Sequence, residues 1–216
     1  MVSGAMKVVL YSYWRSSSSH RVRIALSLKG VPFELRTVNL LAGEQMTGEH
    51  VARSPMGYVP CLVVDGETFV ESVAIIELLE DLVPTPRLFP RDPKDRARVR
   101  AMVEMVSSGI QPLQNLRVLQ RASSSKDEQL AFAREFNQRG LEAIERTMES
   151  SRVRGRYAYG DEPTAADVFL LPQITSARRF GVDFSRLGRV VSAADAFATH
   201  PAAKKAAPEA QPDAVI

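Results

Sequence analysis

Tyr11-Ser-Tyr-Trp-Arg-Ser-Ser-Ser-Ser-His-Arg-Val-Arg-Ile-Ala-Leu26 reads as a strand that empties through a run of hydroxyls into a helix. The residues leading into it, Val8-Val-Leu-Tyr11, are apolar and mostly β-branched, while Val22, Ile24, Ala25, Leu26 and Leu28 recur at helical spacing with Arg21 and Arg23 between them. A buried strand followed by an amphipathic helix is the expectation. Ser16, Ser17, Ser18 and Ser19 are all good N-cap residues. A helix start of that kind presents unpaired N–H groups and the positive end of the dipole, which suits an anion. A serine run is also compatible with a flexible turn that only caps the helix. Arg15 and Arg21 flank the turn, and Gly30-Val-Pro-Phe-Glu-Leu-Arg-Thr-Val-Asn39 returns as a second strand. The resulting βαβ unit has its ligand position at that first turn.

Working outward, Ser54-Pro-Met-Gly-Tyr-Val-Pro-Cys-Leu-Val-Val-Asp-Gly-Glu-Thr-Phe-Val-Glu-Ser72 gives two short strands about an Asp65-Gly66 turn, with Pro60 at the mouth of the first. A helix capped by Ser72 follows, carrying Val73, Ile75, Ile76, Leu78, Leu79 and Leu82. The prolines at 84, 86, 90 and 93 end it and mark a linker. Beyond them strand signals stop, and helices are expected over about 96–119, 128–150, 164–178 and 190–198. Thr164 with Asp167 forms a close variant of a capping box, a folding signal with no catalytic role. Residues 1–6 read as a disordered lead-in, and the Ala- and Pro-rich tail from His200 as coil.

The fold class expected is therefore α/β plus all-α, with a βαβ-ββα domain over 6–84, a linker over 85–93 and a helical domain over 94–213. With 28 basic and 25 acidic residues among 216, the net charge of +3 is too slight and too interleaved for nucleic-acid or membrane-surface binding. One cysteine, Cys61, excludes an internal disulfide and a cysteine-based zinc site, and no metal is expected. No apolar run approaches ~18 residues. A cytoplasmic setting is the default expectation.

The order βαβ-ββα with a proline before the third strand, a Pro-rich linker and a helical domain bearing that capping box resembles the cytosolic glutathione transferases. The block Ser-Ser-x-Ser-x-Arg-x-Arg-Ile-Ala-Leu at 16–26, with 39–40, 55–65, 72–90 and 110–115, resembles the zeta class in particular. The resemblance implies a thioredoxin-like first domain that binds glutathione, a homodimer, and glutathione-dependent cis–trans isomerisation of a small dicarboxylate. Maleylacetoacetate is the first expectation. Maleylpyruvate isomerisation or attack on α-halo acids begins with the same thiolate. A non-enzymatic module of the same fold is the alternative from another class, and it would predict a damaged thiol site.

Residue by residue, the resemblance places Ser16, Ser17, Ser18, Ser19, His20 and Arg21 around glutathione. Ser17 is favoured as donor to the sulfur. Val59 before a cis Pro60 would pair with the cysteinyl part, Glu71 and Ser72 would hold the γ-glutamyl group, and Gln45 matches the position at the glycyl end. Ser18 stands where many members have cysteine, His20 where many have tryptophan, and Glu71 where glutamine is commoner. His20 is a candidate general base, but as a helix-surface histidine it reads first as a structural residue. Gln111 and Asn115, expected on one helix face, match further glutathione contacts. Arg15, Arg117 and Arg179 match arginines that clamp the dicarboxylate, with Arg15 also serving catalysis.

Overall fold

The computed structural model describes residues 6–215, so residues 1–5 of the lead-in expected over 1–6 lie outside them. Two compact units are present. One holds the chain up to Pro86 together with the segment from Pro201 onward, and the other spans Arg87–His200. The division falls within the expected linker, while the C-terminal segment groups with the first unit instead of the second.

The first unit is built on β1 (Val8–Ser12), α1 (Ser17–Leu28), β2 (Glu34–Thr37), α2 (Gly48–Arg53), β3 (Cys61–Val64), β4 (Glu67–Val70) and α3 (Ser72–Leu82). Strand order is β2-β1-β3-β4. β1 runs parallel to β2 with Tyr11 opposite Arg36, and antiparallel to β3 with Leu10 opposite Leu62. β3 pairs antiparallel with β4, with Leu62 opposite Phe69. Along the chain the strands and their helices follow the expected βαβ-ββα sequence, and β1 is buried along its whole length, as its apolar run requires. Asp65 and Gly66 both take positive φ, 50° and 91°, which a tight hairpin needs to match the twist of its strands.

α1 departs from the amphipathic expectation. Arg21 and Arg23 are each 1 % exposed, and every residue from Ser19 to Leu26 is buried. Helix α3 packs against it, and so does the C-terminal segment. Arg23 is compatible with that burial because its guanidinium donates to Ser12 Oγ (2.9 Å) and to the carbonyls of Tyr13 (3.3 Å), Trp14 (3.0 Å) and Ala206 (3.1 Å). A buried charge is tolerated when its donors are used in this way. At the far end of α1, Lys29 Nζ binds Glu80 at 2.8 Å and the carbonyls of Val83 and Pro86, tying α1 to the end of α3.

The second unit is helical: α4 (Pro93–Ser107), α5 (Leu116–Ala122), α6 (Lys126–Ser150), α7 (Ala165–Arg179) and α8 (Gly188–Ala198). The single helix expected over 96–119 is broken. A 3₁₀ turn at Gln111–Gln114 separates α4 from α5, because Pro112 has no N–H to give a continuing helix and the chain restarts at Asn115, whose Oδ1 accepts from Arg117 N. The capping box at the start of α7 is present. Asp167 Oδ2 accepts from Thr164 N at 2.9 Å, and its Oδ1 accepts from Ala158 N at 2.7 Å.

The tail expected as coil forms α9 (Pro201–Ala206) and a short 3₁₀ turn at Pro208–Ala210. Ala202, Ala203 and Ala206 are buried, and their small side chains let α9 lie close on α1. No helix among the described residues is long and apolar enough to cross a membrane.

Candidate active site

At the mouth of α1, Ser16 is the N-cap. Its Oγ accepts from Ser19 N at 3.1 Å, and its own N–H donates to Tyr13 O at 3.0 Å. Ser17 and Ser18 are the first two helical residues, where backbone N–H groups have no intrahelical acceptor. Ser17 is buried and Ser18 half-buried. The hydroxyl of Ser19 is fully buried and has no hydrogen-bond partner among the described residues. Arg15 is exposed, with its guanidinium carbon 5.5 Å from the centroid of the Trp14 ring. Two N–H groups without intrahelical acceptors and the positive end of the helix dipole make this mouth favourable for negative charge.

His20 is not the helix-surface residue expected. It is 3 % exposed, and its Nε2 has no hydrogen-bond partner among the described residues. Burial first, then the nearby charges of Arg23 and Arg21, hold its pKa well below 6.5. The unfolded chain therefore binds a proton that the folded one refuses. Stability conferred by neutral His20 is complete above about pH 6.5 and declines as pH falls below it, by up to about 1.4 kcal/mol per pH unit. His20→Gln is expected to flatten that slope in urea unfolding between pH 5 and 7; an unchanged slope would assign the acid sensitivity to another group.

Arg21 joins this mouth to the start of α3. Its Nη1 donates to Ser72 Oγ at 3.2 Å within the core. Ser72 is the first helical residue and not the cap expected; the N-cap position belongs to Glu71, whose φ of 67° and ψ of 118° are rare for a residue with a side chain. Such geometry persists where the surroundings hold it, commonly at ligand clamps. Because Ser72 Oγ accepts from a guanidinium, its own proton remains to be donated to an anion at the helix start. Val59 is buried, its bond to Pro60 is cis, and it lies two residues beyond the last β1–β3 pair of Tyr11 with Cys61. Its backbone is therefore outside the ladder and suited to an added strand.

Other expected residues are carried elsewhere. Gln45 sits in a 3₁₀ turn, Glu44–Met46, and makes no hydrogen bond to the α1 mouth among the described residues. In the second unit Gln111 lies in the 3₁₀ turn and Asn115 caps α5, so they do not share one helix face. Arg117 and Arg179 are exposed, at the start of α5 and the end of α7; Arg179 Nη2 contacts Ser176 Oγ at 3.3 Å. The turn is braced by residues the sequence did not single out. Gln114 Oε1 accepts from Asn137 Nδ2 (2.9 Å) and Gln173 Nε2 (3.0 Å), both residues fully buried. Arg23 was missed likewise. A signal was present, since Val22, Ile24, Ala25 and Leu26 leave that helix no continuous polar face.

Residues 15–82 match the family model described as the glutathione S-transferase, N-terminal domain. That span contains the α1 mouth, Val59-Pro60 and Glu71-Ser72. A solved holo maleylpyruvate isomerase, described as a bacterial glutathione S-transferase of the zeta class, superposes with a TM-score of 0.93 at 39 % identity, covering 96 % of this chain and 100 % of that one. The chain belongs to the zeta class of the glutathione S-transferases. Mouse maleylacetoacetate isomerase is 47 % identical to this zeta-class chain over 183 residues, 84 % of it and 83 % of the relative. Maleylacetoacetate isomerase from Anaeromyxobacter dehalogenans, solved with dicarboxyethyl glutathione and citrate in its active site, has a TM-score of 0.88 at 44 % identity over 98 % of this chain and 99 % of that one. The one cysteine, Cys61, is buried, and burial pushes its pKa up to about 11. It stays a neutral thiol and no nucleophile.

Proposed function

We propose that this zeta-class chain is a glutathione-dependent cis–trans isomerase that converts maleylacetoacetate to fumarylacetoacetate. The observation that carries the reading is the α1 mouth, where Ser16 caps the helix and Ser17 and Ser18 bring hydroxyls and N–H groups without intrahelical acceptors to its first turn. The Anaeromyxobacter relative supports the chemistry, since a glutathione bearing a dicarboxyethyl group has the carbon–sulfur bond that thiolate addition to a maleyl group makes.

Free thiol has a pKa near ~8.5. A hydroxyl donating to thiolate sulfur contributes roughly 1.5–3 kcal/mol, which lowers that pKa by about 1–2 units and makes thiolate abundant near neutrality. Ser17 is the proposed donor: it is buried, and unlike Ser16 its oxygen is not engaged in capping. Ser16, Ser18, Ser19, His20, Arg21, Gln45, Val59, Pro60, Glu71, Ser72, Gln111 and Asn115 are the proposed surroundings of glutathione.

The thiolate adds to the carbon–carbon double bond, forming a carbon–sulfur bond and moving the π pair into an enolate. Rotation then occurs about what is now a single bond. Collapse of the enolate re-forms the double bond in the other geometry and expels the thiolate, so glutathione is not consumed. Arg15, Arg117 and Arg179 are the proposed partners of the carboxylates, with Arg15 at the developing enolate, where guanidinium charge lowers the barrier most. Maleylpyruvate is the second substrate reading, favoured by the TM-score of 0.93 to an enzyme of that activity. The chain is proposed to act as a cytoplasmic homodimer, as its class resemblance implies.

Purified protein assayed with maleylacetoacetate and maleylpyruvate, each with and without glutathione, tests the reading. Equal rates without the thiol would end it. Arg179→Ala is expected to raise KM for the dicarboxylate about 10- to 100-fold, the loss of one charge-assisted contact. Conjugation of a neutral substrate by the same variant should stay within about twofold; equal losses on both would remove Arg179 from carboxylate recognition.

A further inference from the structure

Trp14 and Arg15 lie between the end of β1 at Ser12 and the start of α1 at Ser17, so neither ladder nor helix fixes them. Their backbone is held from outside. The N–H of Trp14 donates to Asp213 Oδ2 at 3.0 Å, across 199 residues of sequence, and its carbonyl accepts from Arg23 Nη2 at 3.0 Å. Next to it, the Tyr13 carbonyl accepts from both Arg23 Nη1 (3.3 Å) and Ser16 N (3.0 Å). Arg23 in turn donates from Nε to Ala206 O at 3.1 Å, in the same C-terminal segment as Asp213. The ring of Trp14 carries the Arg15 guanidinium. One residue thus has both its backbone groups pinned by charged side chains, and it sits two positions before the cap of α1.

We infer that Asp213 is a positioning residue for the thiol-activating turn: with Arg23 it clamps Trp14, and through Trp14 it sets the Ser16–Ser18 hydroxyls and the Arg15 side chain. The inference rests on the function proposed above for those serines. A hydrogen bond to sulfur weakens steeply with angle and distance, and supports for a reacting group must hold it to about 0.5 Å. A carboxylate accepting from a backbone N–H is the stronger, charge-assisted kind of bond. Asp213 is itself half-buried and fills no place in the core.

Trp14 is the only tryptophan, and its emission reads the turn directly. In the full-length chain, Asp213→Ala is expected to raise acrylamide quenching of Trp14 about twofold as local opening becomes easier. It should also move the ultraviolet thiolate titration of bound glutathione upward by about half to one pH unit, with KM for glutathione changed less than about twofold. Asp213→Asn keeps an acceptor oxygen at the same place and should restore most of both. Unchanged quenching, or raised quenching with an unshifted thiolate titration, overturns the inference. A wild-type protein with no bound thiolate overturns the proposed function instead, and the quenching comparison then still decides whether Asp213 holds the turn.

Discussion

Ser17→Ala lowers kcat about tenfold at pH 7 and leaves KM for glutathione within about threefold, if its hydroxyl holds the sulfur as thiolate. Losing the bond returns the thiol towards its free pKa near ~8.5, so the anionic fraction at neutral pH falls by about that factor. The sign of the pH dependence follows. The deficit is at its full size below the lowered pKa of the bound thiol and narrows as pH climbs past the free thiol value, where both proteins carry thiolate. Glutathione itself is proposed to be held elsewhere, by Ser72, Glu71 and the backbone of Val59, which is why its affinity should be nearly spared. A kcat profile that coincides with wild type across pH 6 to 9 would move the role to Ser16 or Ser18.

The largest loss of stability is expected at Arg23. Methionine there fills much of the same volume but withdraws donors from Ser12 Oγ and from the carbonyls of Tyr13, Trp14 and Ala206. Buried acceptors left in this way should together cost about 3–5 kcal/mol. Against a typical total of about 5–15 kcal/mol, Arg23→Met would fold marginally. Burial lowers the guanidinium pKa to about 10, while the Asp213 and Glu209 carboxylates pull it back up, so Arg23 remains charged at neutral pH. Lysine should not rescue it, because a point charge on a flexible stem cannot serve four acceptors in a planar fan. Urea unfolding followed by Trp14 emission checks both variants; a loss under 1 kcal/mol on the scale of ordinary surface changes would show that water replaces the guanidinium.

Local chemistry explains which parts of this molecule could be read from its sequence. The apolar run of β1, the Asp65-Gly66 turn and the Thr164/Asp167 capping box each carry their signal within a few residues, and each is where it was expected. The serine mouth of α1 was legible for the same reason. The buried side of α1 was not, because the groups that make Arg23 compatible with the core lie at Ala206 and Asp213, far along the chain. The 3₁₀ turn was overlooked although Pro112 marked it, since apolar residues on both sides keep helical spacing. Ser72 was misplaced by one position because Glu71 takes a φ of 67° that its side chain does not advertise. Arg117, Arg179, Gln111 and Asn115 became candidates through family resemblance, and periodicity alone misdescribed the helix expected to carry three of them.

The closing of α9 and Asp213 onto α1 also sets an order of events during synthesis. Everything that makes up the second unit, Arg87–His200, is translated before the residues that complete the first. At about 5–20 residues per second, α1 and its buried arginines wait roughly 6–25 s after α3 is made. Throughout that interval the nascent thioredoxin-like half lacks its last structural piece, and the side of α1 that α9 covers stays open to solvent.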